Sequence, residues 1–246
     1  MAHAGANVVN DYYDALNGSD AGNPSRLFPF TGGSRFIQNG VLSLLETRRY
    51  GFGLLAAVVP AGLWLKAHSA GGLVWIGLAR LLVAWAYSAP PLQLMARGAG
   101  ETAIVAGWLL VVLGTDFVQR GELAARPLVA GLPFALLVAA ILYLNQFPDA
   151  RADAAAGKRT LVVRLGARWG YVALAAAAYL WLAAAVVLGF LPVACALGLL
   201  PAALSFKAGR PLLRDADRPE RLVPAIKATI AAANLQGLLM ALALAL

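Results

Sequence analysis

Long apolar segments recur along the whole sequence, and they constrain its fold more than any other feature. The chain has 246 residues, of which 61% are hydrophobic and 13% are charged. Soluble domains are about 25% charged, and a helix needs about 20 mostly apolar residues to cross a bilayer. The sequence therefore predicts an all-α, polytopic transmembrane helical bundle, formed as a single membrane-embedded domain over residues 1–246. The predicted spans lie near residues 38–65, 71–88, 99–117, 127–146, 167–189, 191–206 and 224–245.

The basic residues are divided unequally between two sets of loops. The net charge of +8 does not indicate nucleic-acid binding, because the basic residues lie in short loops between apolar segments. Loops 14–37, 89–98, 147–166 and 207–223, with the helix ends that border them, carry sixteen of the twenty Lys and Arg residues. The opposite loops carry only Lys66, Arg120 and Arg126. By the positive-inside rule, we expect an inner-membrane (plasma-membrane) protein with the first set of loops in the cytoplasm.

Two clusters of acidic residues fall on the face that is predicted to be cytoplasmic. They lie in NDYYDALNGSD at residues 10–20 and in NQFPDARAD at residues 145–153. The clustered acids are Asp11, Asp14, Asp20, Asp149 and Asp153. In a helix, the i,i+3 spacing of the first two acids and the i,i+4,i+8 spacing that begins at Asn145 would each line one helix face. Pro148 is expected to break the helix within the second cluster.

Clustered carboxylates repel one another unless a cation binds among them. Oxygen ligands with no nearby Cys or His suit Mg²⁺, which is usually shared between carboxylates and substrate phosphates. Basic residues follow both clusters, namely Arg35 in FTGGSR and Lys158 and Arg159 in AGKRT. Such cations bind diphosphates, and an adjacent apolar bundle can hold a long apolar tail. The pattern therefore predicts a Mg²⁺-dependent enzyme that acts on a lipid-like diphosphate at the membrane surface.

These motifs resemble those of the UbiA superfamily of intramembrane prenyltransferases, and the resemblance covers essentially the whole chain. NDYYDALNGSD is similar to the first aspartate-rich motif of the family, N-D-x-x-D-x-x-x-D, and NQFPDARAD is similar to the second. Gly18 occupies the position of the last aspartate of the first motif, and Asp20 follows two residues later. That late aspartate, together with GGSR, YSAPP, ARGAGE and GKRTLVVRLG, resembles the branch that prenylates 1,4-dihydroxy-2-naphthoate for menaquinone.

The resemblance implies two related four-helix halves. It also implies transfer of a polyprenyl group from polyprenyl diphosphate to an aromatic acceptor, through an allylic carbocation. By position in the motifs, it implies that Mg²⁺ is held on the diphosphate by Asp11, Asp14, Asp149 and Asp153, with assistance from Asn10 and Asp20. It implies that the diphosphate itself contacts Arg35, Lys158 and Arg159, and that the reaction pocket is lined by Tyr87 and Asn145.

The sequence also departs from the pattern of this branch. Gln146 and Pro148 stand where the branch more often has asparagine and arginine, and Asp116 stands where it often has an aromatic residue. These differences leave the acceptor open among 1,4-dihydroxy-2-naphthoate, 4-hydroxybenzoate and other quinone precursors. In the family, the first motif ends the second helix, whereas here about ten residues precede it. We therefore expect the first helix to be absent from this sequence and the second to be shortened. The expected reason is either that the true start lies upstream of Met1 or that this sequence is a fragment.

Two other functions compete with prenyl transfer. A CDP-alcohol phosphotransferase also uses helical aspartates and Mg²⁺, but its signature opens with an Asp-Gly dipeptide, which this sequence lacks. A transporter usually places its charged binding groups near the bilayer midplane, whereas here only Arg80 lies deep in a predicted span. The sequence leaves open whether Arg80 has a function or only donates hydrogen bonds to backbone carbonyls within the bundle. It indicates neither the prenyl chain length nor the oligomeric state.

Overall fold

The computed structural model describes residues 1–246, and it is a bundle of nine α-helices without strands. The helices are α1 (Ala2–Asn17), α2 (Leu44–Ala67), α3 (Leu73–Ala86), α4 (Gly100–Arg120), α5 (Ala125–Ala155), α6 (Leu161–Leu165), α7 (Gly170–Val187), α8 (Ala202–Asp215) and α9 (Val223–Ala245). Short 3₁₀ helices occur at Met95–Arg97, Val193–Leu199 and Pro219–Leu222. The all-α fold class that the sequence predicted is confirmed.

Six helical segments are long and apolar enough to cross a membrane, and α3 is a shorter apolar helix of 14 residues. The six segments are Leu44–Ala67, Gly100–Arg120, Ala125–Ala155, Gly170–Val187, Val193–Asp215 and Pro219–Ala245. Large apolar side chains cover the outside of the bundle. For example, Trp75 is 73% exposed and Val187 is 83% exposed. The protein is thus a multi-pass membrane protein, and the seven predicted spans correspond to the six segments and α3.

Several helix boundaries differ from the predicted spans, and α5 extends beyond the predicted end at residue 146 to Ala155. α2 begins at Leu44 because Ser43 caps it: the Ser43 side chain accepts a hydrogen bond from the Glu46 backbone N–H, and the Glu46 carboxylate accepts one from the Ser43 backbone N–H. The predicted span at 191–206 begins as a 3₁₀ helix over Val193–Leu199 and continues as α8 to Asp215. Turns at residues 87–92 end α3 before the predicted boundary at residue 88.

α5 runs through Pro148 without a break, so the prediction that this proline interrupts the helix was wrong. A proline inside a helix removes one hydrogen bond. Packing compensates for that loss, because Pro148 is buried and the preceding turn is anchored by Leu144 in the core that joins α5 to α7, α8 and α9. The continuous helix presents Asn145, Asp149 and Asp153 on one face, as their spacing predicted.

Two groups of helices meet at one end of the bundle. Val9 of α1, Leu55 of α2 and Ala84 of α3 form one small core, whereas the largest core joins α5 to the C-terminal helices. Short turns between α2 and α3 and between α4 and α5 make these neighbours antiparallel. The C-terminal ends of α1, α3 and α5 therefore lie together with loop 18–43, and this end of the bundle carries the predicted site.

Candidate active site

A polar cavity of about 220 Å³ lies at this end of the bundle, and only 4 of its 18 lining residues are hydrophobic. It is bounded by α1, loop 18–43, the turn after α3, α5 and the loop after α5. Eight of the residues singled out in the sequence line it: Asn10, Asp14, Asp20, Tyr87, Asn145, Asp149, Asp153 and Lys158. The fold thus brings the two aspartate motifs, which are far apart in the sequence, into a single cavity.

Lys158 lies between the two aspartate motifs. Its Nζ atom is 2.7 Å from Asp14 Oδ1 and 3.1 Å from Asp153 Oδ1, and the residue is only 4% exposed. Burial lowers the pKa of Lys158, but the carboxylates of Asp14 and Asp153 outweigh burial, so that its pKa lies above the ordinary lysine value. The ammonium group therefore stays charged, and it links a carboxylate of each motif.

Loop 18–43 orients one further carboxylate of each motif. Asp149 accepts hydrogen bonds from Asn23 Nδ2 at 2.6 Å and from the Gly32 backbone N–H at 3.2 Å. Asp11 accepts hydrogen bonds from Ser34 Oγ at 2.5 Å and from the Ser34 backbone N–H at 3.4 Å. The sequence indicated no role for Asn23, which lies in the loop after the first motif, and none for Ser34 beyond its place in GGSR.

Gly33 allows this loop to approach the carboxylates closely. Its backbone has φ +64°, which favours glycine. A Cβ atom at this position would lie 2.6 Å from Asp20 Oδ2 and 2.9 Å from Asp11 Oδ1. Burial, together with the charges of Asp14 and Asp11, raises the pKa of Asp20 to about 7. The first motif therefore forms a crowded anionic cluster that additional positive charge would stabilise.

The donor atoms of the cavity fit a hard divalent cation. No three acidic, histidine or cysteine side chains converge on one point, and the Lys158 ammonium group occupies the space between the motifs. However, Asp20 Oδ2, Asp153 Oδ2 and Asn145 Oδ1 are buried without hydrogen-bond partners. Buried oxygens without partners are costly, and oxygen ligands are those that Mg²⁺ prefers. These free oxygens, rather than a preformed cage, support a Mg²⁺ site.

Three of the predicted site residues do not line the cavity. Asp11 lies beside the cavity, where it accepts a hydrogen bond from Ser34 Oγ. The Arg35 Nη1 atom donates to the Asp20 carbonyl oxygen at 2.9 Å, so that this guanidinium supports loop 18–43. Arg159 is exposed, and its backbone N–H donates to the Ala96 carbonyl oxygen at 2.7 Å.

A buried polar link between Gln146, which lines the cavity, and Glu101 had no predicted role. Gln146 Nε2 donates to Glu101 Oε1 at 2.5 Å, and Gln146 Oε1 accepts from the Val162 backbone N–H at 3.3 Å. Both side chains are at most 5% exposed. The link ties the start of α4 to α5 and to the segment that follows Lys158. ARGAGE stood out in the sequence as a motif, but nothing in it indicated that its glutamate would meet Gln146.

Comparisons with known proteins agree with this architecture. The sequence profile of the UbiA prenyltransferase family matches residues 1–235. The chain is 27% identical to the 1,4-dihydroxy-2-naphthoate octaprenyltransferase of Bacillus subtilis over 192 residues, which cover 74% of this chain and 58% of that protein. It is 32% identical to the protein of the same name from Mycobacterium leprae over 166 residues, which cover 66% of this chain and 53% of that protein. The chain thus spans a little over half the length of these relatives, and no solved structure matches it.

Proposed function

Because the chain belongs to the UbiA prenyltransferase family, we propose that it transfers a polyprenyl group from polyprenyl diphosphate to 1,4-dihydroxy-2-naphthoate, as a step in menaquinone biosynthesis. The observation that carries this proposal is the polar cavity at the end of an apolar bundle, in which both aspartate motifs meet. A substrate with a charged diphosphate and a long apolar chain matches this arrangement, because the diphosphate fits the polar cavity and the chain fits the apolar bundle. The acceptor is proposed from the names of the relatives, which are 1,4-dihydroxy-2-naphthoate octaprenyltransferases.

The two motifs would share the metal and the diphosphate. Mg²⁺ would be held by Asp11, Asp14, Asp149 and Asp153, with Asn10 and Asp20 assisting. When bound, Mg²⁺ neutralises the charge that develops on the departing diphosphate. The buried oxygens without partners on Asp20 and Asp153 support this assignment.

The side chains of the chain supply the remaining requirements of the reaction. The Lys158 ammonium group adds positive charge beside both motifs. Arg35 and Arg159, which do not line the cavity, would contact the diphosphate from its edge. Departure of the diphosphate leaves an allylic carbocation, which must be shielded from water until the acceptor ring attacks it. Tyr87 and Phe30, which line the cavity, offer aromatic faces that stabilise such a cation, and Asn145 lines the same pocket.

The site would face the cytoplasm. The loops that carry the cavity belong to the set with sixteen of the twenty basic residues, which the positive-inside rule assigns to the cytoplasmic side of the inner membrane. Both proposed substrates would then reach the site from the cytoplasm and the adjoining bilayer leaflet.

A prenylation assay tests the proposal. The purified protein in lipid nanodiscs is given radiolabelled octaprenyl diphosphate and Mg²⁺, with either 1,4-dihydroxy-2-naphthoate or 4-hydroxybenzoate, and the products are identified by mass spectrometry. We expect a prenylated product with the naphthoate, loss of turnover in EDTA and recovery on addition of Mg²⁺. If a product forms with 4-hydroxybenzoate and none forms with the naphthoate, 4-hydroxybenzoate is the acceptor and the role in menaquinone biosynthesis is wrong. No product with any aromatic acceptor would contradict the proposed reaction.

A further inference from the structure

Arg80 is a charged residue without a partner in the interior of the bundle. It is the only charged residue of α3 and is half-buried. None of the six ion pairs in the structure includes Arg80, and the arginine hydrogen bonds are made by other residues. The alternative that Arg80 only donates to backbone carbonyls is therefore wrong. A cation inside a membrane is costly unless something pairs with it.

The neighbouring helix provides space for this guanidinium group. Gly107 of α4 is buried, and a Cβ atom built on it would lie 3.1 Å from Arg80 Nη1 and 3.7 Å from Arg80 Cζ. Any larger residue at this position would therefore press on the guanidinium group. The packing of α3 on α4 holds Arg80 towards the inside of the bundle.

Arg80 lines a small cavity that adjoins the polar cavity. The small cavity has a volume of about 60 Å³ and lies among α1, α3 and α4. Asn7 and Tyr87 line both cavities. Tyr87 is seven residues after Arg80, which corresponds to roughly 10 Å along a helix. The backbone of Arg80 thus lies roughly 10 Å further along the helix than that of Tyr87, which borders both cavities.

The small cavity has the size and the walls of a site for the end of an aromatic acid. A water molecule takes up about 30 Å³ in the liquid, so this cavity admits a carboxylate group but neither a diphosphate nor a bicyclic ring. Trp108 and His3, whose ring centroids are 6.2 Å apart, form aromatic walls beside Arg80. Guanidinium groups bind carboxylates through two parallel hydrogen bonds, and such pairs are strongest where water is excluded.

We propose that Arg80 binds the carboxylate of the aromatic acceptor, so that the ring of the acceptor extends past Asn7 and Tyr87 towards the allylic carbon. This inference rests on the proposed function and adds to it the position and orientation of the second substrate. It makes Arg80 a residue that selects acids over otherwise identical neutral phenols. The diphosphate substrate, in contrast, depends on the aspartate motifs and Lys158 and not on Arg80.

A binding experiment that does not require turnover tests this inference. Affinities for 1-hydroxy-2-naphthoate and for 1-naphthol, which differ only in the carboxylate, are measured by calorimetry on the full chain in nanodiscs. We expect the wild type to prefer the acid, and Arg80→Gln to weaken acid binding by about 10- to 100-fold with 1-naphthol unchanged. Arg80→Lys keeps the charge and is expected to retain part of the preference. Arg126→Gln, at the opposite end of the bundle, is the matched control and is expected to leave both affinities unchanged.

The possible results separate this inference from the proposed function. Equal affinities for acid and phenol in the wild type, or unchanged acid binding in Arg80→Gln, would overturn the role of Arg80. Equal loss of both ligands in Arg80→Gln and Arg80→Lys would also overturn it, because that result indicates a structural role. The prenylation assay tests the reaction independently. A negative result in either experiment does not change what the other one shows.

Discussion

At the scale of the residue, the charge balance of the polar cavity depends on a single buried lysine. Lys158 pairs with Asp14 and Asp153 at the same time, and thereby allows carboxylates of both motifs to lie close together. Removing one partner of a buried ion pair leaves an uncompensated charge, which costs more than the pair itself contributes. In the proposed reaction, Mg²⁺ would act on this cluster in the same direction as Lys158, and the diphosphate would balance the combined positive charge.

Gly33 offers a sharp test of the contact between loop 18–43 and the first motif. In Gly33→Ala the added Cβ atom would displace Asp20 Oδ2 and Asp11 Oδ1, which lie 2.6 and 2.9 Å from it. Misplacement of reacting groups by about 1 Å can lower a rate about 100-fold. We expect a decrease of that order in the prenylation rate, measured at saturating substrates.

The matched control for this variant is Gly40→Ala. Gly40 lies in the same loop and also has a positive φ, but no atom lies within 4 Å of its added Cβ atom. It is expected to lose only about 1–2 kcal/mol of stability through backbone strain, with little change in rate. Similar rates for the two variants would show that crowding of the carboxylates at Gly33 has no catalytic consequence.

At the scale of the element, α5 is the helix on which the site is built. It carries Asn145, Asp149 and Asp153 into the cavity, and Gln146, which also lines the cavity, connects the helix to Glu101 and to the Val162 backbone. The segment that bears Lys158 lies directly between the end of α5 and Val162. The geometry of the second motif and of Lys158 therefore depends on one buried polar link.

Gln146→Leu is expected to loosen this link. The substitution leaves both carboxylate oxygens of Glu101 without partners, because Oε2 already has none. Unpaired buried polar groups cost about 1–3 kcal/mol each, so we expect a lower temperature of unfolding in detergent and a higher KM for the diphosphate. Gln119→Leu, at an exposed position on α4, serves as control and should change neither quantity. Wild-type values in Gln146→Leu would show that the link positions nothing.

The sequence predicted some elements and not others, for physical reasons. Apolar segments and the spacing of the aspartates are local patterns, and they predicted the spans, the motifs and the shared face of α5. The continuity of α5 at Pro148 depends on tertiary packing, which no local pattern records. Asn23, Ser34 and Glu101 were missed for the same reason. Their partners are distant in the sequence, and polar residues in loops are ordinarily solvated.

At the scale of the whole molecule, prenyl transfer from the cytoplasmic side requires one orientation in the membrane. The single cysteine, Cys195, is fully buried and gives a low background for labelling. Asn39→Cys lies on the site side and Glu122→Cys on the opposite side, and both positions are exposed. We expect an impermeant maleimide to label Glu122→Cys in cells with an intact inner membrane, and Asn39→Cys only after permeabilisation. The reverse pattern would place the cavity outside the cytoplasm.

In the proposed function, the two aspartate motifs form one site for prenyl transfer. The most direct measurement compares the rates of prenylated product formation by the wild type, Asp14→Asn, Asp149→Asn and Asp217→Asn at saturating Mg²⁺. Asp217 is an exposed aspartate outside the cavity that pairs with Arg168. We predict that each motif variant loses about 100-fold or more in rate, whereas Asp217→Asn keeps the wild-type rate and all four proteins insert into the membrane. A wild-type rate in either Asp14→Asn or Asp149→Asn would contradict the claim.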